Sequence, residues 1–251
     1  INIAAFTFLI FFFIEDINIH MNFKNKLISG LLIKRYKRFF VDIKIKNQIV
    51  TAHCPNTGSM SGLLNKGNKV WISKSDNPNR KLKYTLEIIE SDKSKVGVNT
   101  HSSNKIIYHA LKNNLIDELK DFSKIKPETK FGDNTRFDFQ VFKKKYKAFI
   151  EVKNVTLSRK SKIAEFPDAI TARGLKHINE LVKASKKNYK IFLLYLIQRD
   201  DCKSFTIAKD IDSSYASALT KAVKKKLNIL CYDCKFSTKG IKLNNKINLK
   251  I

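Results

Sequence analysis

The sequence predicts an α/β protein of the two-domain α+β kind, with a small N-terminal β-barrel followed by a mixed sheet flanked by helices. Three observations carry this. From about Leu31 to Asn99 apolar residues recur at every second position in short runs, divided by turns rich in Asn, Asp, Gly and Pro, as half-buried strands require. After Thr100 the repeat lengthens to three and four, and helical stretches alternate with strands. At 251 residues the chain is long enough to bury a core in each part. The expected divisions are a leader at 1–20 outside the folded protein, a barrel domain at 21–100 and a sheet domain at 101–251.

The leader is set apart by its composition. Ile1 to Ile14 are almost wholly apolar, but they fall short of the ~20 residues that span a bilayer. No basic flank precedes them and Glu15-Asp16 follow, which suits a signal peptide poorly. Ordinary water-facing sequence begins at Met21.

Within the barrel domain, Phe39, Val41, Ile43 and Ile45 alternate with Phe40, Asp42, Lys44 and Lys46. Further strands are expected at 49–53, 69–73, 84–90 and 96–99. Five short strands in so few residues match the size of an oligonucleotide-binding barrel. The loop His53-Cys54-Pro55-Asn56-Thr57-Gly58-Ser59-Met60 either seals that barrel or offers short polar groups to a ligand.

In the second half, Ser103 is placed to cap a helix carrying Ile107, Ala110 and Leu111 and running on through Leu115 and Leu119. A strand at 125–131 follows. Thr135 to Val141 and Phe149 to Val155 then read as antiparallel neighbours across the Lys-rich turn 143–147. Pro167-Asp168 opens the next helix, with Ile170, Leu175, Ile178, Leu181 and Val182 on its apolar face and Arg173 and His177 together on its polar one, a pair that either grips a phosphate of a nucleic acid or forms surface salt bridges. The nearly unbroken apolar run 190–197 marks a strand buried on both faces. A helix at 213–227 and a strand at 229–232 complete the sheet.

The chemistry concentrates on the antiparallel pair. Side chains alternate along a strand, so Glu151 and Lys153 project together while Ile150 and Val152 enter a core. If Asp138 lies across from them, two carboxylates and an ammonium meet, a donor set for Mg²⁺, with Mn²⁺ as substitute. The lysine would then orient or deprotonate a water, or stabilise charge on phosphorus. The Glu-x-Lys spacing alone is weak, because it recurs at Glu118 and Glu128, and its plainer reading is a solvated ion pair.

Charge and cysteines bound the setting. Forty-nine Lys and Arg against 22 Asp and Glu give a formal charge of +27, which favours polyanionic partners. The joint excess of Lys, Asn, Ile and Phe is also what drift toward an AT-rich genome produces, so placement must decide. The run Lys34-Arg35-Tyr36-Lys37-Arg38 interleaves cations with an aromatic, the pattern of phosphate contacts beside a stacking ring. Cys54, Cys202, Cys231 and Cys234 are too few and too scattered for a disulfide framework, which fits a reducing cytoplasm. Cys231-x-x-Cys234 is half a zinc site without a second pair, so structural thiols are expected.

The chain resembles the sugar fermentation stimulation protein A family. The resemblance is carried by Arg35 to Phe39, His53 to Met60, Ser75 to Lys81, Gly97 to Thr100, Arg136 to Phe139, Ile150 to Leu157, Phe166 to Ala169, Arg173-Gly174 and Lys176-His177, in order from Met21 to about Leu243. It implies an oligonucleotide-binding (OB) type N-terminal domain and a C-terminal domain similar to the PD-(D/E)XK nucleases. By that likeness Asp138 and Glu151 hold the metal, Glu128 is the additional acidic residue and Lys153 is the catalytic lysine. It also implies DNA binding and a regulatory role in sugar (maltose) utilisation. The chain departs from the family pattern at Asn134-Thr135 and at Ala172, away from the proposed metal centre. A DNA-binding regulator that does not cut, an active Mg²⁺-dependent endonuclease on DNA or RNA, and a structural adaptor are the readings in competition. None of them calls for a membrane.

Overall fold

The computed structural model describes residues 21–237 and 239–250. The leader expected at Ile1–His20 lies outside the described residues.

Five strands close the N-terminal barrel: β2 (Ile28–Tyr36), β3 (Phe40–Ile45), β4 (Gln48–His53), β5 (Lys69–Lys74) and β6 (Tyr84–Ser91). A short strand, β1 (Met21–Asn22), precedes them and joins the other domain's sheet. The barrel order is β4-β3-β2-β5-β6, and the parallel pairs Ala52↔Tyr84 and His53↔Thr85 complete the ring. Its core is built from alternate residues, among them Leu32, Val41, Ile43, Val70, Ile72 and Leu86. Membership differs from expectation in one place. β2 was not foreseen, and the strand expected at 96–99 is β7 (Ser94–Gly97), an extension beyond β6. The register of β2 against β3 slips between Leu32 and Lys34, so a bulge breaks the two-residue repeat where a sequence reading needs it.

The second domain is a seven-stranded sheet in the order β1-β16-β15-β13-β10-β9-β8. Its strands are β8 (Lys124–Phe131), β9 (Thr135–Lys143), β10 (Tyr146–Val155), β13 (Tyr189–Ile197), β15 (Leu227–Phe236) and β16 (Gly240–Lys246), with β1 at one edge. β10, β13 and β15 are parallel, and the outer pairs are antiparallel. A smaller sheet, β11 (Leu157–Lys160), β12 (Ile163–Phe166), β14 (Ser204–Ile207) and β17 (Asn248–Lys250), lies alongside.

Alternation on β13 shows how the layers form. Ile191, Leu193, Tyr195 and Ile197 enter one core, while Phe192, Leu194 and Leu196 enter the other. Helix α1 (His101–Lys112) covers the second face; α2 (Ala172–Ser185) and α3 (Ser213–Val223) cover the first. An apolar run is thus the signature of a strand wetted on neither side.

Helix ends are where the expectations need correction. α1 starts at His101, and Ser103 lies buried within its first turn, donating to Asn154 Oδ1 (3.1 Å) and accepting from Gln198 Nε2 (3.1 Å). The helix stops before Asn114, whose positive φ breaks it, and Leu119 packs from a separate 3-10 turn at Asp117–Leu119. α2 begins at Ala172, capped by Thr171 Oγ1, which accepts from Gly174 N–H at 3.0 Å. Ile170 therefore stands outside the helix and is 82% exposed. α3 ends at Val223, and Leu227 belongs to β15.

The starts of α2 and α3 are fastened by one carboxylate. Asp212 caps α3 by accepting from Tyr215 N–H (2.9 Å) and also accepts from Thr171 N–H (2.9 Å). Gly174 allows the close approach, since a Cβ there would lie 2.8 Å from Thr171 Oγ1 and 3.1 Å from Tyr215 Cε2. Asp212→Ala strips two N–H groups of their acceptor and is expected to cost about 2–4 kcal/mol, read as a lowered urea midpoint with an unchanged slope.

Candidate active site

Glu151 lies in mid-strand on β10. Ala148, Ile150 and Val152 point to the α1 side, so Glu151 and Lys153 share the α2/α3 side with Phe149 and Val155. That side is a core and not a solvated face, and Glu151 is only 3% exposed. A carboxylate there must be paired. Lys153 Nζ lies 2.7 Å from Glu151 Oε1, and His177 Nδ1 reaches the same oxygen from α2. Burial pushes the Glu151 carboxyl up, but Lys153 and then His177 outweigh it and leave it below the usual carboxylate range. The other oxygen, Oε2, is buried and has no hydrogen-bond partner.

Asp138 completes the group. The last regular pair between β9 and β10 is Ile150↔Phe139, and the next step of that register sets Asp138 across from Glu151. There the ladder gives way to a side chain, because Val152 N–H donates to Asp138 Oδ2 at 2.7 Å. Asn104, on α1, donates to Oδ1 at 2.8 Å. Burial first, and then the neighbouring Glu151 charge, push Asp138 up to about 6. Glu128 falls between the pairs Pro127↔Phe139 and Thr129↔Phe137 of β8 and β9, opposite Asp138, with φ +50°. It is exposed, and the Asn104 amide reaches its Oε1 at 3.4 Å. Asn104, Glu128 and Asp138 line a cavity of about 280 Å³ with Lys105, Tyr108 and Phe139.

These donors fit a hard divalent cation. Glu151 Oε2 is an unsatisfied buried anion, and each Asp138 oxygen accepts only one protein hydrogen bond and keeps lone-pair capacity. Among the described residues no cluster of three or more His, Cys, Asp and Glu is arranged to hold a metal. An ion held here would rest on few protein donors and would complete its shell with water, as Mg²⁺ can. A zinc pair at Cys231 and Cys234 is ruled out by placement, since the two thiols enter opposite cores of the sheet.

The expected nucleic-acid contacts are redistributed. Arg35 turns inward: its Nη2 donates to Asn56 O (2.7 Å), its Nη1 to Gly58 O (3.0 Å) and its Nε to Arg38 O (2.9 Å), holding the 53–60 loop. Tyr36 stacks on Phe40 and donates to Asp42, with Lys34 over its ring. Lys37 and Arg38 stay exposed at the β2–β3 turn, and Phe39 beside them is 43% exposed and stacked on His53. Arg173 is exposed, whereas His177, expected on the same polar face, is 6% exposed and bound to Glu151. Arg173 and His177 do not share a polar face: α2 packs so that His177 is buried against the sheet, while Arg173, in the first turn, stays in solvent. Sequence reasoning missed Asn104; nothing local marks it, since its contact is with Asp138, a neighbour distant in the chain.

Comparison with known proteins places this architecture. A family model described as the SfsA N-terminal OB domain matches residues 33–98, and one described as the sugar fermentation stimulation protein RE domain matches residues 101–240. The chain belongs to the sugar fermentation stimulation protein family. The family's homolog from Pelagibacter ubique is 56% identical over 91% of this chain and 99% of its own length. The homolog from Brucella anthropi is 41% identical, covering 88% and 96% respectively. Among solved structures, Pyrococcus furiosus SfsA in complex with Ca²⁺ superposes with a TM-score of 0.84 over 92% of this chain and 98% of that one, at 23% identity. Family membership and the structural match together establish the barrel-plus-mixed-sheet fold. No helix among the described residues is long and apolar enough to cross a membrane.

The raised Asp138 carboxyl sets a pH dependence. Folded Asp138 binds its proton up to about pH 6, against an ordinary value of 3.8, so between these limits the folded state holds more protons than the unfolded one. Its contribution is fully present below about pH 4 and is lost as pH rises through about 6. In metal-free protein the stability difference between wild type and Asp138→Asn is therefore expected to shift against wild type from pH 4.5 to 7 and to level off above, as measured by urea unfolding in chelator.

Proposed function

We propose that the protein binds nucleic acid, DNA foremost, and hydrolyses its phosphodiester bonds with a divalent metal at Asp138 and Glu151, Mg²⁺ first and Mn²⁺ in its place. One observation carries the reading: a buried carboxylate, Glu151, keeps one oxygen on Lys153 and His177 and leaves the other unpartnered beside a second carboxylate. A core that needed only stability would do as well or better with apolar residues there. The Ca²⁺ complex of the Pyrococcus furiosus relative supports a hard-cation site in this fold.

Asp138 and Glu151 would hold the ion, with Glu128 near enough through Asn104 to add a water-bridged contact. The bound metal supplies Lewis-acid activation of a phosphoryl oxygen and a more acidic water. Lys153 contributes a fixed ammonium beside the site of charge development and hydrogen bonds for orienting a water. His177 and Asn104 are positioning residues, fixing Glu151 and Asp138 from opposite faces of the sheet. Lys34, Lys37, Arg38 and Arg173 supply cationic contacts for phosphates.

A second reading is a cytoplasmic DNA-binding regulator of sugar (maltose) utilisation that holds nucleic acid without cutting it. The observation that favours it is the engagement of the Lys153 ammonium on Glu151, which occupies the group a catalyst would turn toward substrate.

Incubation of single-stranded, duplex and branched DNA and RNA with Mg²⁺ or Mn²⁺ separates the two. Cleavage by wild type that falls at least 100-fold in Glu151→Ala and Lys153→Ala supports the hydrolase. Identical behaviour of wild type and Glu151→Ala on every substrate eliminates it, and salt-sensitive binding without cleavage leaves the regulator. Calorimetry is expected to show Mg²⁺ or Ca²⁺ binding to wild type that is weakened at least tenfold in Asp138→Asn.

A further inference from the structure

A second cationic feature lies outside the metal centre. A cleft of about 560 Å³ opens between the barrel and α1, lined among others by His53, Arg80, His101 and Lys105. Among the described residues Arg80 makes one side-chain hydrogen bond, to Thr85 Oγ1 at 2.8 Å, and no ion pair. The side chains of His101 and Lys105 have no hydrogen-bond or ion-pair partner among the described residues, and His53 has only its ring stack on Phe39.

The lining also holds Lys24, Lys74 and two carboxylates. Asp76 is paired with Lys24 at 2.6 Å, and Glu87 is buried between Ser73 Oγ (2.6 Å) and Asn99 Nδ2 (2.8 Å). Neither is bonded to Arg80, His101 or Lys105. The imidazole of His53 is held below its ordinary value, by burial and then by the positive charges of Arg80 and His101. Such a concentration of like charge is costly unless an anion joins it.

The cleft leads somewhere. Lys105 lines it and also lines the cavity that contains Asp138 and Glu128. His53, also in the lining, stacks on the exposed ring of Phe39, which follows the Lys37-Arg38 turn in sequence. We propose that this cleft is the track of a single nucleic-acid strand, whose phosphates sit against Arg80, His101 and Lys105 and whose next phosphodiester reaches the Asp138–Glu151 centre. The Phe39–His53 stack presents a ring face to an unpaired base, as single-strand binders do. An unpaired strand leaves its bases free to stack on that ring, which the paired bases of a duplex are not. This inference rests on the nucleic-acid reading above and names the form of its substrate.

The test is fluorescence anisotropy with a labelled single-stranded oligonucleotide and its duplex, in chelator so that the metal centre is silent. Wild type is compared with Arg80→Ala/Lys105→Ala, with the charge reversal Lys105→Glu, and with Lys221→Ala/Lys225→Ala at the α3 side as a charge-matched control. The cleft double variant is expected to weaken single-strand binding at least tenfold, and to flatten the log–log salt slope by roughly 1.4 for two lost contacts. Its thermal midpoint should stay with wild type, as should the calorimetric Mg²⁺ affinity of Arg80→Ala alone, which leaves the lining of the Asp138 cavity intact. Single-strand binding in the cleft variants no weaker than in the control pair overturns the track and leaves the hydrolase reading standing. Tighter binding of duplex than of single strand by wild type overturns it as well. Absence of any binding by wild type removes both readings together.

Discussion

The pairing of the buried Glu151 carboxylate with Lys153 and His177 is the interaction on which the second domain depends. A carboxylate 3% exposed is tolerable only because two cationic or hydrogen-bonding groups meet one of its oxygens. Those partners come from different places, one from two residues along the same strand and one from a helix packed across the sheet. The strand therefore cannot slide, nor the helix rotate, without uncovering a charge in the core. The same constraint leaves Oε2 bare, so the arrangement that fixes the fold also leaves an unpartnered oxygen on a carboxylate whose charge acts on Asp138.

Asp138 is the counterpart at the point where a regular ladder ends. Its carboxylate takes the place of a backbone acceptor for Val152 N–H, and α1 reaches it through Asn104. The site thus draws on both faces of one sheet. The barrel is fastened to this frame by contacts of its own: Thr100 Oγ1 donates to Pro55 O (2.6 Å), Ser59 Oγ to Asp168 O (2.9 Å) and Gly97 N–H to Gln198 O (2.9 Å). The 53–60 loop, held from the barrel side by Arg35, is the seam between the halves. Cys54 and Met60 of this loop enter the barrel core, while its short polar residues serve the junction.

Much of this was legible beforehand because it follows from local periodicity. β3 to β6, β8 to β10 and β13 were visible in their alternation or in their unbroken apolar runs. Asp138, Glu151 and Lys153 were visible because two-residue spacing on a strand forces a common side. What escaped has identifiable causes. A bulge hid β2. Ser103 mimicked a cap three residues late, because its hydroxyl is used across the sheet and not along the helix. Ile170 imitated a helical apolar face although its helix had not begun. Arg35 read as a phosphate ligand because nothing in a basic run says whose carbonyls are near.

By itself the sequence determined which residues lie on the same side of a strand, where the chain turns and which family it belongs to, since these rest on neighbours within a few positions. Only the tertiary structure decided that the Glu-Lys pair is buried and not solvated, that His177 faces Glu151 while Arg173 faces solvent, and that Asn104 reaches Asp138. The physical reason is that burial and pairing are set by which elements pack against each other. Residues 26 or 34 positions apart, like Glu151 and His177 or Asn104 and Asp138, meet only when a whole sheet has formed between two helical layers.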